Sequence, residues 1–232
     1  MGRHSIQSRP RPGLDTSALL YQVANEVTIS IAANLKFSSF HIWDKVERLG
    51  INNSNVQDDF WDDLFPYLDC LGLALHAQRS LREALSQKPE TAQYADLVQL
   101  MTNTKMASQT LRFHSFVALC FHEYCIAIDL PYHASAFEVK LEGSFTCEEV
   151  VSLHGKTLHM YHNVGCVDWS RKLTMDRIPF SEMDSGAALR QLAIPSLTPS
   201  IGTPQNKYVI VRSLLDSKPE HLVSTPFQGS AS

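Results

Sequence analysis

The chain has 232 residues, of which 44% are hydrophobic, 9% aromatic and 19% charged. This apolar content excludes a wholly disordered chain, and 10 glycines with 11 prolines exclude a collagen-like polymer. The 20 lysines and arginines against 24 acids give a formal net charge of −4. That balance excludes a global positive field that would draw the protein onto nucleic acid or anionic lipid.

The first 16 residues are predicted to form a disordered basic arm. Arg3, Arg9 and Arg11 occur there with two prolines, and no acid precedes Asp15. Arginines in such an arm can contact phosphates or anionic lipid headgroups. The favoured interpretation is nevertheless an ordinary disordered terminus, because three charges alone do not anchor a protein to a membrane.

The most regular pattern in the chain follows this arm, between Val27 and Phe37. Apolar residues alternate there with polar or small ones, which predicts a long half-buried strand. Ser38 and Ser39 then offer N-caps for a short helix over 40–49, which Gly50 ends.

Residues 60–101 are predicted to be helical, apart from one ambiguous stretch. A helix is predicted to start at Phe60 and to be cut short or kinked by Pro66. The pattern leaves residues 67–87 open between strand and helix. Pro89 is typical of a first helical turn, and a helix is predicted from there to Met101.

The second half of the chain is predicted to supply most of the sheet. Dense apolar residues over 110–130 predict one or two central strands, and alternation predicts further strands over 137–141, 156–162 and 208–212. Thr146 and Glu149 form a capping box that predicts a short helix to Leu153, and 181–193 also reads as a helix.

The predicted fold class is therefore α+β. We expect a single compact domain over 17–215, with a mixed or antiparallel sheet flanked by short helices, and a disordered polar tail over 216–232.

Cysteine usage and hydropathy bound the location of the protein. Five widely spaced cysteines without a preceding apolar signal segment favour a reducing compartment, so the protein is not expected to be secreted. No run approaches the roughly 18 apolar residues of a transmembrane helix, and at most a peripheral membrane protein is expected.

The best metal candidate is the group Cys120, His122 and Cys125, together with His154, His159, His162 and Cys166. The spacing of Cys120 and Cys125 lies at the edge of the range used by zinc knuckles. The favoured interpretation is that both cysteines are core thiols and that the chain has no metal site or cofactor.

No nucleophile-elbow, Walker or dinucleotide-binding pattern occurs. We therefore predict no catalytic residues, no enzymatic activity and no small-molecule substrate, with a zinc-dependent enzyme as an alternative.

The order of these elements resembles the matrix proteins of rhabdoviruses. The resemblance lies in the basic arm, the predicted long strand, the short helix with a Trp-Asp pair over 40–44, and the aromatic segment over 60–65 followed by Leu71-Gly72-Leu73. It is best over about residues 20–80, and the segment 137–143 resembles a later strand and turn of the family.

The resemblance implies a structural role on the inner face of a virion, in the host cytoplasm or nucleus. It implies self-association, and contacts with the viral nucleocapsid and nucleoprotein and with an anionic membrane during assembly and budding. Two features depart from the family, namely the negative net charge and the missing proline-rich late-domain motif.

Two other functions stay open. The first is an RNA-binding viral coat or movement protein, in which the arm would act together with Lys105, Arg112, Arg171 and Lys172. The second is a cellular adaptor domain that binds a peptide along an exposed strand edge or in a groove.

Overall fold

The structure, a computed structural model, describes residues 10–38, 40–50, 60–103, 114–140, 144–153, 156–168, 172–175, 178–179, 181–184, 209–213 and 221–223. Its helices are α1 (Leu14–Asn34), α2 (Phe40–Leu49), α3 (Cys70–Ser86) and α4 (Pro89–Ala92). Short 3-10 turns cover Asp62–Leu64 and Ala95–Leu97.

The strands follow in chain order. They are β1 (Lys36–Ser38), β2 (Tyr67–Leu68), β3 (Val98–Thr102), β4 (Ser115–Cys120), β5 (Tyr124–Ile128), β6 (Phe137–Lys140), β7 (Ser144–Leu153), β8 (Lys156–Asp168), β9 (Lys172–Met175), β10 (Ile178–Pro179), β11 (Ser181–Met183), β12 (Val209–Ser213) and β13 (His221–Val223).

These strands form three sheets rather than the single sheet expected from the sequence. An antiparallel five-stranded sheet has the order β11-β3-β4-β5-β6, and a second antiparallel sheet has the order β10-β9-β8-β7. The third has the order β13-β12-β1-β2 and is mixed, because β1 and β2 are parallel. The α+β class is confirmed.

The five-stranded sheet has buried apolar side chains on both faces. One face packs against α1 and α3 and contributes to the main core. The other face carries a second buried cluster. Strand β6, at the edge of this sheet, also contacts β7 and β8. The members of this second cluster are Met101, Phe116, Ala118, Cys120, Cys125, Ala127, Phe137 and Val139.

Helix α3 resolves the segment 67–87 that the sequence left open. Its N-cap is Asp69, whose carboxylate accepts a hydrogen bond from the Gly72 backbone N–H at 2.8 Å. Gln78 Nε2 donates to the Val98 carbonyl at 3.1 Å, which ties the helix to β3. The helix buries the residues Leu71, Ala74, Ala77, Leu81 and Leu85 against the sheet.

Gly72 lies where α3 approaches the indole of Trp61. A Cβ atom at this position would lie 2.9 Å from Trp61 Cε3 and 3.2 Å from Leu68 Cβ. We expect Gly72→Ala to lower the free energy of unfolding by about 1–3 kcal/mol, because overpacking outweighs the gain in helix propensity. Urea unfolding measures this, and Glu83→Ala, at an exposed position of the same helix, is the control. Equal losses in both variants would contradict the packing argument.

The predicted strand over Val27–Phe37 is wrong. Residues up to Asn34 belong to α1, and only Lys36–Ser38 are extended. The helix begins after Gly13, and Thr28 Oγ1 donates to the Ala24 carbonyl four residues earlier at 2.7 Å. Leu20, Val23 and Ala24 pack in the core, so tertiary burial outweighs the β propensity of the Val-Thr-Ile-Ser-Ile run.

Other predictions in the first half fare differently. The helix over 40–49 is confirmed, and Gly50 follows it with a positive φ of 61°. Residues 62–64 form a 3-10 turn instead of an α-helix. The helix that begins at Pro89 ends at Ala92 instead of reaching Met101. Residues Val98–Thr102 form a strand that pairs with β4.

In the second half, the central strands are confirmed as β4 and β5, and the strands at 137 and 156 as β6 and β8. The helix predicted from the Thr146–Glu149 capping box is wrong. Residues 144–153 form a strand because they pair with β8 along their whole length. Residues 181–183 pair with β3, and the rest of the helix predicted over 181–193 lies outside the described residues, apart from Asp184.

The two helices α1 and α3 have 21 and 17 residues, so the prediction of short flanking helices is wrong for both. The chain ends are also more ordered than predicted where they are described. Helix α1 starts at Leu14, inside the predicted arm, and β13 lies inside the predicted tail and pairs with β12. Within the described ranges, no helix combines the length and the apolar character that a membrane crossing requires.

Candidate functional site

Helix α1 carries exposed apolar side chains outside the side that packs in the core. Its inner side packs on α3 and β5. Its outer side carries residues at helical spacing of three or four, which we call the outer stripe: Leu14, Ala18, Tyr21, Asn25 and Ile29. The side chains of Leu14, Ile29 and Tyr21 are 91%, 47% and 39% exposed.

A groove runs beside the first half of the outer stripe. It has a volume of about 500 Å³ and lies between α1 and the segment that leads into β6. Its walls mix aromatic, hydroxyl and charged groups, which is the composition of many binding grooves. The lining residues are Ser17, Ala18, Tyr21, His133, Ser135, Ala136, Phe137 and Glu138.

Two side chains of the outer stripe fix α1 to the groove. The Tyr21 hydroxyl donates to the Ala136 carbonyl at 2.9 Å, and Asn25 Oδ1 accepts from the Ala136 backbone N–H at 3.2 Å. Both backbone groups of Ala136 are thereby satisfied by side chains of α1. The stripe is therefore held in a defined place on the rigid sheet.

The outer stripe is almost uncharged. Helix α1 has no lysine or arginine, and its acids are Asp15 and Glu26. Two copies of such a surface can approach each other with little electrostatic repulsion.

The basic residues predicted to contact membrane or nucleic acid are mostly outside the described residues. This holds for Arg3, Arg9, Lys105, Arg112 and Arg171. Lys172 lies in β9.

Arg11 contacts the turn between β4 and β5. Its Nη2 lies 3.1 Å from His122 Nδ1 and 3.8 Å from Glu123 Oε1, and the ion pair is well exposed to solvent. An exposed ion pair contributes little to stability.

The metal candidate is not assembled as a site. Cys120 and Cys125 are buried opposite each other in the β4–β5 hairpin, whereas His122 is exposed at its tip and faces Arg11. A tetrahedral site needs its ligands to converge on one point, and these do not. No group of three or more His, Cys, Asp or Glu side chains suited to a metal ion occurs among the residues that the structure describes.

A buried polar pair lies at the opposite end of the same hairpin. His114 Nε2 lies 2.9 Å from Asp129 Oδ1 and 3.0 Å from Oδ2, and both residues are buried. The His114 ring also packs against Phe116 and Tyr132, on the side of the second cluster. The His114 backbone N–H donates to Asn103 Oδ1 at 2.9 Å. The pair joins β3, β4 and β5 where the three strands meet.

Cys70 is a buried nucleophilic side chain at the start of α3. Burial raises the pKa of its thiol well above the ordinary value, and the negative charges of Asp69 and Asp129 add to the effect. At neutral pH the thiol therefore stays protonated, which makes it a weak nucleophile despite its place in the first turn of α3.

The raised pKa of Cys70 has a consequence for stability. In the unfolded chain the thiol ionises near pH 8.5, whereas the folded chain holds its proton. The folded state then binds more protons, so we expect the free energy of unfolding to fall as the pH rises above about 8.5. Urea titrations between neutral and alkaline pH measure this slope. Cys70→Ala should reduce it, and an unchanged slope would contradict the assignment.

The sequence did not point to the outer stripe or to the His114–Asp129 pair. The stripe does carry a signal, since residues 14, 18, 21, 25 and 29 follow helical spacing. The buried pair carries none, because 14 residues separate its members and only the pairing of β4 with β5 brings them together. Comparison with protein-family models, with curated proteins and with solved structures finds no match.

Proposed function

We propose that this protein is a non-catalytic structural protein of the matrix type, which self-associates through the outer stripe of α1. In this proposal it bridges a viral nucleocapsid to the inner face of an envelope membrane. The observation that carries the proposal is the exposure of two large apolar side chains of α1, Leu14 and Ile29, in one protomer.

Self-association supplies the binding strength that a single copy lacks. The chain is net negative, and of the three arm arginines Arg11 already contacts Glu123. A few basic side chains per copy bind an anionic membrane weakly, whereas many copies joined in one layer gain avidity. The proposed role therefore depends on the contacts between protomers.

The matrix-type assignment rests on the resemblance over the Phe40–Asp44 and Phe60–Phe65 segments. The first segment begins α2, and the second contains the buried side chains of Trp61 and Leu64. The predicted long strand no longer contributes to this resemblance, because most of it is α1.

Two observations favour a non-catalytic role. The His114 imidazole is hydrogen-bonded to Asp129 inside the sheet, and the raised pKa keeps the Cys70 thiol protonated. Ser115 follows His114 directly, and successive residues of an extended chain point to opposite faces. The arrangement therefore does not place the Ser115 hydroxyl beside the imidazole as a nucleophile would require.

Flotation with lipid vesicles tests the proposal. We expect the full chain to float with vesicles that contain phosphatidylserine at low salt, and to be released as salt rises. Vesicles of phosphatidylcholine alone are the control. Equal flotation with both, or none with either, would contradict the membrane-bridging role. Addition of single-stranded RNA tests the coat or movement alternative in the same assay.

The groove favours a second candidate, a peptide-binding adaptor. It lies along the edge strand β6 and has aromatic walls at Tyr21 and Phe137. This candidate predicts a monomer at all concentrations that binds neither vesicles nor RNA. The mass of the protein in solution therefore separates the two candidates.

A further inference from the structure

The structure places two cysteines directly opposite each other at the tip of the β4–β5 hairpin. Cys120 is the last residue of β4, and its partner in register is Cys125. We propose that these two thiols form a reversible dithiol–disulfide pair, which makes the hairpin tip a site of oxidative modification. This inference does not depend on the proposed function.

The hydrogen bonds of the hairpin define the type of pair. The Phe121 backbone N–H donates to the Tyr124 carbonyl at 2.9 Å, so 121 and 124 are a hydrogen-bonded pair. The adjacent pair of Cys120 and Cys125 is then a non-hydrogen-bonded pair, in which the Cα atoms lie about 4.5 Å apart. A disulfide requires a Cα separation of about 4.4–6.8 Å, and this pair meets the requirement without a change of register.

The surroundings leave room for the bridge. Both sulfur-bearing side chains point to the side of the second cluster, where the next pair along the hairpin is Ala118 with Ala127. The small alanine pair leaves space along the hairpin for the two Sγ atoms to turn toward each other, and Val139 of β6 lies beside Cys125. Strand β3 begins opposite Leu119, so Cys120 lies just beyond its end and close to the exposed turn residues His122 and Glu123. An oxidant reaches the two buried thiols when this end of the hairpin opens locally.

The chemistry balances with a small disulfide as the oxidant. The thiolate of one cysteine attacks oxidised glutathione, forms a mixed disulfide and releases one glutathione thiolate. The thiol of the second cysteine loses its proton and displaces the second glutathione, which forms the Cys120–Cys125 bond. The protein loses two electrons and two protons, and oxidised glutathione becomes two molecules of reduced glutathione.

Peptide mapping of the native full chain tests the proposal. No lysine or arginine occurs between Arg112 and Lys140, so trypsin releases both cysteines in one peptide, residues 113–140, which contains no other cysteine. After incubation with oxidised glutathione and alkylation, we expect this peptide to lose two hydrogen atoms and to carry no alkyl group. The thiol count should fall from five to three per chain.

Two comparisons test whether the folded hairpin causes the bridge. We expect the equilibrium constant for bridging to be at least about tenfold larger in the native chain than in urea, because the fold holds the thiols together. Cys70→Ser, which alters another buried cysteine, should leave the bridge unchanged. Three outcomes would overturn the proposal: an alkylated peptide 113–140, a lasting glutathione adduct on it, or equal bridging in the folded and unfolded chains.

Discussion

Asp129→Ala is expected to lower the free energy of unfolding by about 3–5 kcal/mol, the largest stability effect that we predict. The substitution removes the acceptor of His114 Nε2 in a place where both side chains are shielded from water. A buried polar group that loses its partner retains its desolvation penalty. Urea unfolding monitored by tryptophan fluorescence measures the loss, since the chain has three tryptophans.

Asp129→Asn is the matched variant for this test. Its amide oxygen can still accept a hydrogen bond from the imidazole, so we expect a smaller loss than with alanine. Asp96→Ala removes an exposed carboxylate and should change the free energy of unfolding by no more than about 0.5 kcal/mol. A value for Asp129→Ala as small as that for Asp96→Ala would contradict a structural role of the buried pair.

Ile29→Glu is expected to weaken self-association by at least about 100-fold. Ile29 lies in the outer stripe and is 47% exposed in one protomer, so the proposed interface would bury it in both copies. A glutamate there places two like charges at the contact, and the loss of apolar burial adds to the effect. Sedimentation velocity over a concentration series measures the change in the dissociation constant.

The control for this variant is Leu49→Glu. Leu49 is the last residue of α2 and is also exposed, at 53%, but it lies outside the outer stripe. Both variants should leave the protomer folded, because surface substitutions usually change stability little. If Leu49→Glu weakened association as much as Ile29→Glu, the effect would reflect general surface charge and not the outer stripe.

The segment with the most regular pattern, Val27–Phe37, is the one predicted as a strand and found mostly in helix α1. Val27 and Ile31 face inward, whereas Ile29 and Ala33 face outward, so apolar residues occupy both sides of the helix. When apolar residues occupy both sides of a helix, they can recur at every second position in the sequence. Apolar residues at every second position are the pattern typical of a strand. One of these outward residues, Ile29, belongs to the outer stripe.

Predictions from local sequence motifs were confirmed where no long-range strand pairing opposed them. Gly50 ends α2 as its position predicts, and the apolar run before Asp129 supplies β4 and β5. The capping box at Thr146 failed because ten consecutive pairs with β8 outweigh one local motif. For the same reason the His114–Asp129 pair could not be predicted, since it depends on strand pairing that leaves no local trace.

The most direct test of the account is the molecular mass of the unmodified protein in solution, measured by sedimentation equilibrium as concentration rises. We predict a mass that increases from the 26.0 kDa of one chain to at least twice that value, with the increase abolished by Ile29→Glu. A mass that stays at one chain over the whole concentration range would contradict self-association through α1 and, with it, the proposed function.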